Sequence, residues 1–227
     1  VFIPRYIAAL GINQYGLVAI FILLQAWIPL LDFGLSQSLM KQASELSVSD
    51  FYRSSILNLL RSVEWIITLV SFCLIALSFA LSGLIAERIV GETPQFSPEF
   101  ISWSIRLMII ALCPRLFESV YRGVLVGLKY HVLLNFFQFW RSSLASIGVL
   151  FAMNLFGASI FVFLLWQLIV NLFAVGSLVF LIYRNSKSSF FASRFCLYEV
   201  SAIQKYSAGI AFIALLSCIL TQFDKLL

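Results

Sequence analysis

Asp32, Arg61, Glu64, Arg115, Glu118 and Arg141 all fall inside apolar stretches of this sequence. At a helix centre facing lipid, each such charge costs at least about 2.5–3.5 kcal/mol. Half a dozen together would prevent insertion unless they face one another or water. Guanidinium groups bind anionic head groups, a carboxylate can take up a coupling cation, and opposite charges can hold helices together. Arg61–Glu64 and Arg115–Glu118 stand at i,i+3 and Glu118–Arg122 at i,i+4, so local pairing is open to them. Asp32 and Arg141 have no local partner. Asp32 is nine residues from Lys41, roughly 13 Å inward along a helix. The functional expectation is one hydrophilic chamber, open to the cytoplasm and lined by Asp32, Glu64, Arg115, Glu118 and Arg141. There Asp32 would balance an arginine or bind a coupling H+ or Na+, and no other cofactor is expected. The structural alternatives are a snorkelling Arg61, an ion-pair ladder through Arg115, Glu118 and Arg122, and an Asp32 that only accepts hydrogen bonds. Arg106 stands apart, in the outer half of its span.

These residues must be positioned by membrane helices. The chain has 227 residues, 62% hydrophobic and 11% charged, with a mean hydropathy of +1.01. Soluble domains are about a quarter charged, so the composition points to an all-α, multi-pass membrane protein. Apolar stretches cover roughly 1–10, 15–40, 55–84, 101–121, 132–153, 158–183 and 206–227. The first is half the length of a span and begins at Val1, so its start is expected upstream, in a longer protein. Eight basic residues lie on one side of the expected spans and three on the other. Loops 41–53, 122–131 and 184–205 are thereby assigned to the cytoplasm, and with them the missing N-terminus. Residues 184–205 carry Phe191, Phe195 and Tyr198 at helical spacing among basic residues, as expected of an amphipathic segment on the membrane surface or of an ordinary loop.

The remaining signals are weaker. Asn135, Gln138 and Arg141 share one helix face; Gln167 and Asn171 share another, as chamber lining or as interhelical glue. Gly123 and Gly127 form a GxxxG that permits close helix approach. Pro29 and Pro114 lie inside spans. Trp27, Trp65, Trp140 and Trp166 could pack or stack on sugars. No Cys/His cluster suggests a metal, no sequence motif suggests an enzyme, and the +5 net charge is too dispersed for nucleic acid.

"IPRYIAALGINQYGLVAIF" followed by "LLDFGLSQSLMKQAS" resembles the N-terminal region of bacterial polysaccharide-biosynthesis membrane proteins. These are the O-antigen and lipid-linked oligosaccharide flippases of the multidrug/oligosaccharidyl-lipid/polysaccharide exporter superfamily. The shared pattern runs through Gly11, Tyr15, Gly16, Asp32, Phe33 and Gly34. "TQFDKLL", with Asp224 and Lys225, and "YRGVLVGLKYH" are similar to later family segments. The resemblance implies about twelve helices in two bundles. Residues 1–183 would form the first six-helix bundle, 184–205 a cytoplasmic linker and 206–227 the first helix of the second bundle. It further implies translocation of an undecaprenyl-diphosphate-linked oligosaccharide across the bacterial inner membrane by alternating access. Arg141 and Arg115 would meet the diphosphate, and a polysaccharide polymerase and chain-length regulator would be partners alongside membrane lipids.

Three rivals differ in what they require. A cation-coupled multidrug exporter of the same superfamily wants an acid-lined pocket, whereas here basic groups are as numerous. A membrane-embedded polymerase or ligase wants a large outer loop with catalytic Arg or His; the one histidine is His131, assigned to the cytoplasmic side. A structural assembly subunit would have a chamber too narrow for water.

Overall fold

The computed structural model describes residues 3–46, 53–92, 96–186 and 197–223. Among the described residues there are eight helices and no strand: α1 (Ile3–Ala26), α2 (Ile28–Leu31), α3 (Leu35–Leu46), α4 (Arg53–Glu92), α5 (Pro98–Gly127), α6 (His131–Phe156), α7 (Ile160–Ser186) and α8 (Leu197–Phe223). Five helical stretches are long and apolar enough to cross a membrane: Ile3–Ala26, Ile56–Arg88, Pro98–Gly127, His131–Phe156 and Ile160–Arg184. In hydrocarbon a helix is the way for one segment to satisfy its own amides and carbonyls. Large side chains such as Phe72, Phe136, Phe151, Leu155 and Phe173 point outward. In water that surface would be a liability; in a bilayer it is the lipid face.

Several boundaries differ from the expectations. The stretches 1–10 and 15–40 are joined in part, because α1 runs from Ile3 to Ala26 with non-helical angles at Gly11 (φ 75°, ψ 160°). Glycine supplies that positive φ without a Cβ clash. The bend is large. Tyr6 and Phe21 both set their rings about 6 Å from Phe163, at 5.9 and 6.0 Å. Fifteen residues of straight helix would separate them by roughly 22 Å. The two arms of α1 therefore fold toward each other around Gly11. The second difference is that 15–40 is not one span: the chain leaves helical geometry at Asp32–Gly34 and resumes as α3. The third is that residues 197–205, expected within the linker, already belong to α8. Residues 187–196, with Phe191 and Phe195, lie outside the described residues, as do Asp224 and Lys225.

The chain divides into two compact units. The first takes the described parts of Val1–Gln25, Leu69–Pro114 and Phe139–Phe173; the second takes those of Ala26–Thr68, Arg115–Gln138 and Ala174–Leu227. Polar side chains serve as interhelical glue in the first unit. Gln14 Oε1 accepts the Ile160 N–H at 3.0 Å, satisfying an amide in the first turn of α7. Gln167 Nε2 donates to the Ala145 carbonyl at 3.1 Å and Asn171 Nδ2 to the Ala111 carbonyl at 3.0 Å. Trp166 Nε1 donates to the Leu144 carbonyl at 2.9 Å, and its ring fills the space left by the missing side chain of Gly148. Gln167, Asn171 and Trp166 are thus packing residues.

A candidate polar groove at a helix break

The second unit holds the Asp-Phe-Gly stretch, and its geometry answers why a carboxylate interrupts an apolar run. Asp32 closes α2, its N–H donating to the Ile28 carbonyl at 3.0 Å. Phe33 (φ 50°) and Gly34 (φ 72°) then take left-handed angles that turn the chain into α3. Such a break frees backbone groups, and unpaired ones are costly away from water. The Asp32 side chain supplies the acceptors. Its Oδ1 takes the Gly34 N–H at 2.7 Å, and its Oδ2 takes the Ser36 hydroxyl at 2.5 Å and the Ser119 hydroxyl of α5 at 2.9 Å. Asp32 is 3% exposed. All three partners donate, and the two carboxylate oxygens accept. The side chain is a bracket that holds the α2–α3 break and ties it to α5.

Close packing fixes the neighbouring helices. At Gly34 a Cβ would lie 2.7 Å from the Ser207 carbonyl oxygen and 2.9 Å from the Ile210 Cβ of α8, so this glycine serves both its positive φ and a close approach. Ser38 donates to the Gly34 carbonyl at 3.0 Å, and its hydroxyl meets that of Ser207 at 2.6 Å. The Lys41 ammonium lies 4.5 Å from the centre of the Tyr206 ring. Gly123 and Gly127 of α5 seat α3 directly. A Cβ at Gly123 would collide with the Ser36 carbonyl oxygen, and one at Gly127 with the Met40 carbonyl oxygen and the Ala43 methyl. The close approach read from the GxxxG spacing is therefore realised between α5 and α3.

A cavity of about 640 Å³ opens among α2, α3, α5 and α8. Its lining mixes the polar side chains of Asp32, Ser36, Gln37, Ser119 and Arg122 with the apolar ones of Met40, Val126, Ile210 and Ile213. Ser119, Arg122, Gly123 and Val126 are spaced as one helical face. Asp32 is turned inward onto its donors, while Arg122 is exposed and makes no ion pair or hydrogen bond among the described residues. The expected Glu118–Arg122 pair is thus not formed. The open charge of the groove is a guanidinium.

Glu64 lies elsewhere in the same unit. Its Oε2 accepts from Arg61 at 2.8 Å, as the i,i+3 spacing leads one to expect, and its Oε1 accepts from the Tyr121 hydroxyl at 2.5 Å. This cluster borders a separate cavity of about 350 Å³ with Trp65, Thr68 and Phe117. Asp32 and Glu64 therefore line two grooves, reached from different faces of α5, and not one. Arg115 is half-buried and Glu118 buried, and neither is among the lining residues of either groove. Arg141, half-buried, belongs to the first unit. Tyr15 and Gly16 lie within helical α1, and Gly16 has open space around it. No group of residues suited to a metal ion occurs among the described residues.

The expectations missed the donors. Ser36 stands four residues after Asp32, a spacing the sequence displays. Ser119 and Tyr121 carry no local signal, because each reaches a carboxylate on another element. Comparison of the chain with protein-family models, with curated proteins and with solved structures gives no match. The site's chemistry therefore rests on its own geometry.

Proposed function

We propose that this protein takes part in moving an undecaprenyl-diphosphate-linked oligosaccharide across the bacterial inner membrane, with the Arg122 groove receiving the diphosphate. The observation that carries the reading is an exposed guanidinium, without a carboxylate partner among the described residues, in a groove lined by hydroxyl and amide groups together with aliphatic side chains. A diphosphate wants charge-assisted, bidentate donors, and a prenyl tail wants an apolar wall continuous with lipid. The motifs through Gly11, Tyr15, Gly16 and Asp32–Gly34 support the same reading by resemblance. Arg122 replaces Arg141 and Arg115 as the diphosphate ligand. On this reading the protein is not an enzyme. A transport cycle would draw on H+ or Na+ through groups other than Asp32, whose oxygens are already taken by three donors. That occupancy also weighs against the multidrug-exporter reading, in which an open acid is wanted. A polysaccharide polymerase and chain-length regulator would act on the delivered substrate.

Binding tests this. The purified full chain in lipid nanodiscs should bind a fluorescent prenyl-diphosphate disaccharide, and Arg122→Ala should weaken binding by about tenfold or more, the worth of a charge-assisted contact. Arg184→Ala, at the end of α7, should leave it unchanged. Equal affinity in wild type and Arg122→Ala contradicts the proposal.

A further inference from the structure

Arg106 is outside both grooves. It lies eight residues beyond Pro98 on α5, roughly 12 Å along the helix. Its Nε donates to Ser82 Oγ of α4 at 2.8 Å. Ser82 is fully buried and also accepts the Ser102 hydroxyl at 3.0 Å, so this edge of the guanidinium is held by a small built network. The guanidinium carbon lies 4.8 Å from the centre of the Phe79 ring and 5.0 Å from that of Trp103. Both rings are exposed, at 46% and 56%. Arg106 has no carboxylate and no further hydrogen-bond partner among the described residues. Of its five N–H donors, Ser82 takes the one on Nε, and the two terminal nitrogens remain.

A guanidinium within a membrane span needs a counter-anion or water. Here it is anchored by its inner edge and flanked by aromatic rings, so the terminal nitrogens form a fork with a fixed direction. The side chain is long enough to reach toward the interface, where the available anions are lipid phosphates. The exposed faces of Phe79 and Trp103 offer apolar surface for the adjoining acyl chain. We propose that Arg106, held by Ser82 and flanked by Phe79 and Trp103, binds the phosphate of a bilayer phospholipid in the leaflet nearer the α4–α5 connection. The fork geometry favours a two-pronged contact to phosphate oxygens. The proposal is independent of the Arg122 groove, because the ligand is a resident lipid and the residues belong to the other unit.

Native mass spectrometry of the full chain after mild delipidation tests it. Wild type should retain a phosphatidylglycerol molecule, and Arg106→Gln should lower its occupancy by about tenfold. Arg106→Lys should fall between them, since it keeps the charge but loses the fork and the Nε anchor. A phosphate-free glycolipid should not be retained, and excess inorganic phosphate should not displace the phospholipid. Ser82→Ala keeps the guanidinium while releasing its anchor, and should lower retention several-fold with helix content unchanged. Wild-type retention in Arg106→Gln, or in Ser82→Ala should the first variant fail to fold, overturns the proposal. Equal retention of the glycolipid, or displacement by inorganic phosphate, overturns the assignment to a phospholipid.

Discussion

Gly123→Val should leave little folded protein. The α3 backbone lies against the α-carbon of Gly123 so closely that even a methyl group would enter the Ser36 carbonyl oxygen. A carbonyl in a helix cannot turn aside as a flexible side chain can, so α3 must move bodily. Such a shift strains the Asp32–Ser119 hydrogen bond and the contact of Gly127 with Met40. Overpacking of a well-packed site costs about 1–3 kcal/mol for added methylenes, and a β-branched side chain against backbone falls at or above the upper end. Gly123→Ala should already lower the midpoint of thermal unfolding in detergent, and Gly123→Val should abolish the monodisperse peak in size-exclusion chromatography. Gly176→Ala is the internal control. Its Cβ would meet nothing within 4 Å, and removing a helix-interior glycine should stabilise by about 0.5–1 kcal/mol. Similar behaviour at the two positions would mean that α3 does not lie on α5 as described.

Asp32→Ala should destabilise strongly, and Asp32→Asn much less. Alanine leaves the Gly34 N–H and the Ser36 and Ser119 hydroxyls without their acceptor. A buried donor left unsatisfied costs about 1–3 kcal/mol. The hydroxyls can turn to backbone carbonyls of their own helices, whereas the Gly34 amide cannot turn. The net expectation is a loss of about 3 kcal/mol, or about 6–12 °C in the unfolding midpoint for a chain of this size. Asparagine keeps one oxygen for Gly34, and its amide can donate to a serine hydroxyl, so about 1 kcal/mol is expected. Thermal unfolding of both variants decides between a bracket and an ion-coupling acid. A coupling role predicts unchanged stability in Asp32→Asn with lost transport. A bracket predicts a graded loss of stability, alanine worse than asparagine.

Much of the helix framework was legible because apolar length is a one-dimensional signal. The α4–α7 segments fall where the apolar stretches are, with α4 and α5 running beyond them at both ends. Gly11 and Gly34 were visible as motif glycines, but their roles were not. One bends α1, and the other admits α8 while turning the chain into α3. The charged residues were legible as unusual, and Arg61 and Glu64 also as partners. The Arg61–Glu64 pair is local and was read correctly. The acceptor roles of Asp32 and Glu64 depend on Ser119 and Tyr121. Two residues apart on a helix, these point roughly 200° from each other, which sends one carboxylate to each of two grooves. That rotation separates a pair of sites which burial cost alone would merge into a single chamber.

The most direct test is whether the groove beside Arg122 is wet. In a chain with its four cysteines replaced by serine, Gln37→Cys places a thiol on the groove wall, and Phe151→Cys places one on the outward apolar face. A membrane-impermeant maleimide, applied to each face of a proteoliposome, should label Gln37→Cys from one face and leave Phe151→Cys unlabelled. A prenyl-diphosphate disaccharide should protect the groove thiol, and Arg122→Ala should remove that protection. A Gln37→Cys thiol as unreactive as Phe151→Cys from both faces would mean that lipid fills the groove, and would contradict both the hydrated site and the substrate proposed for it.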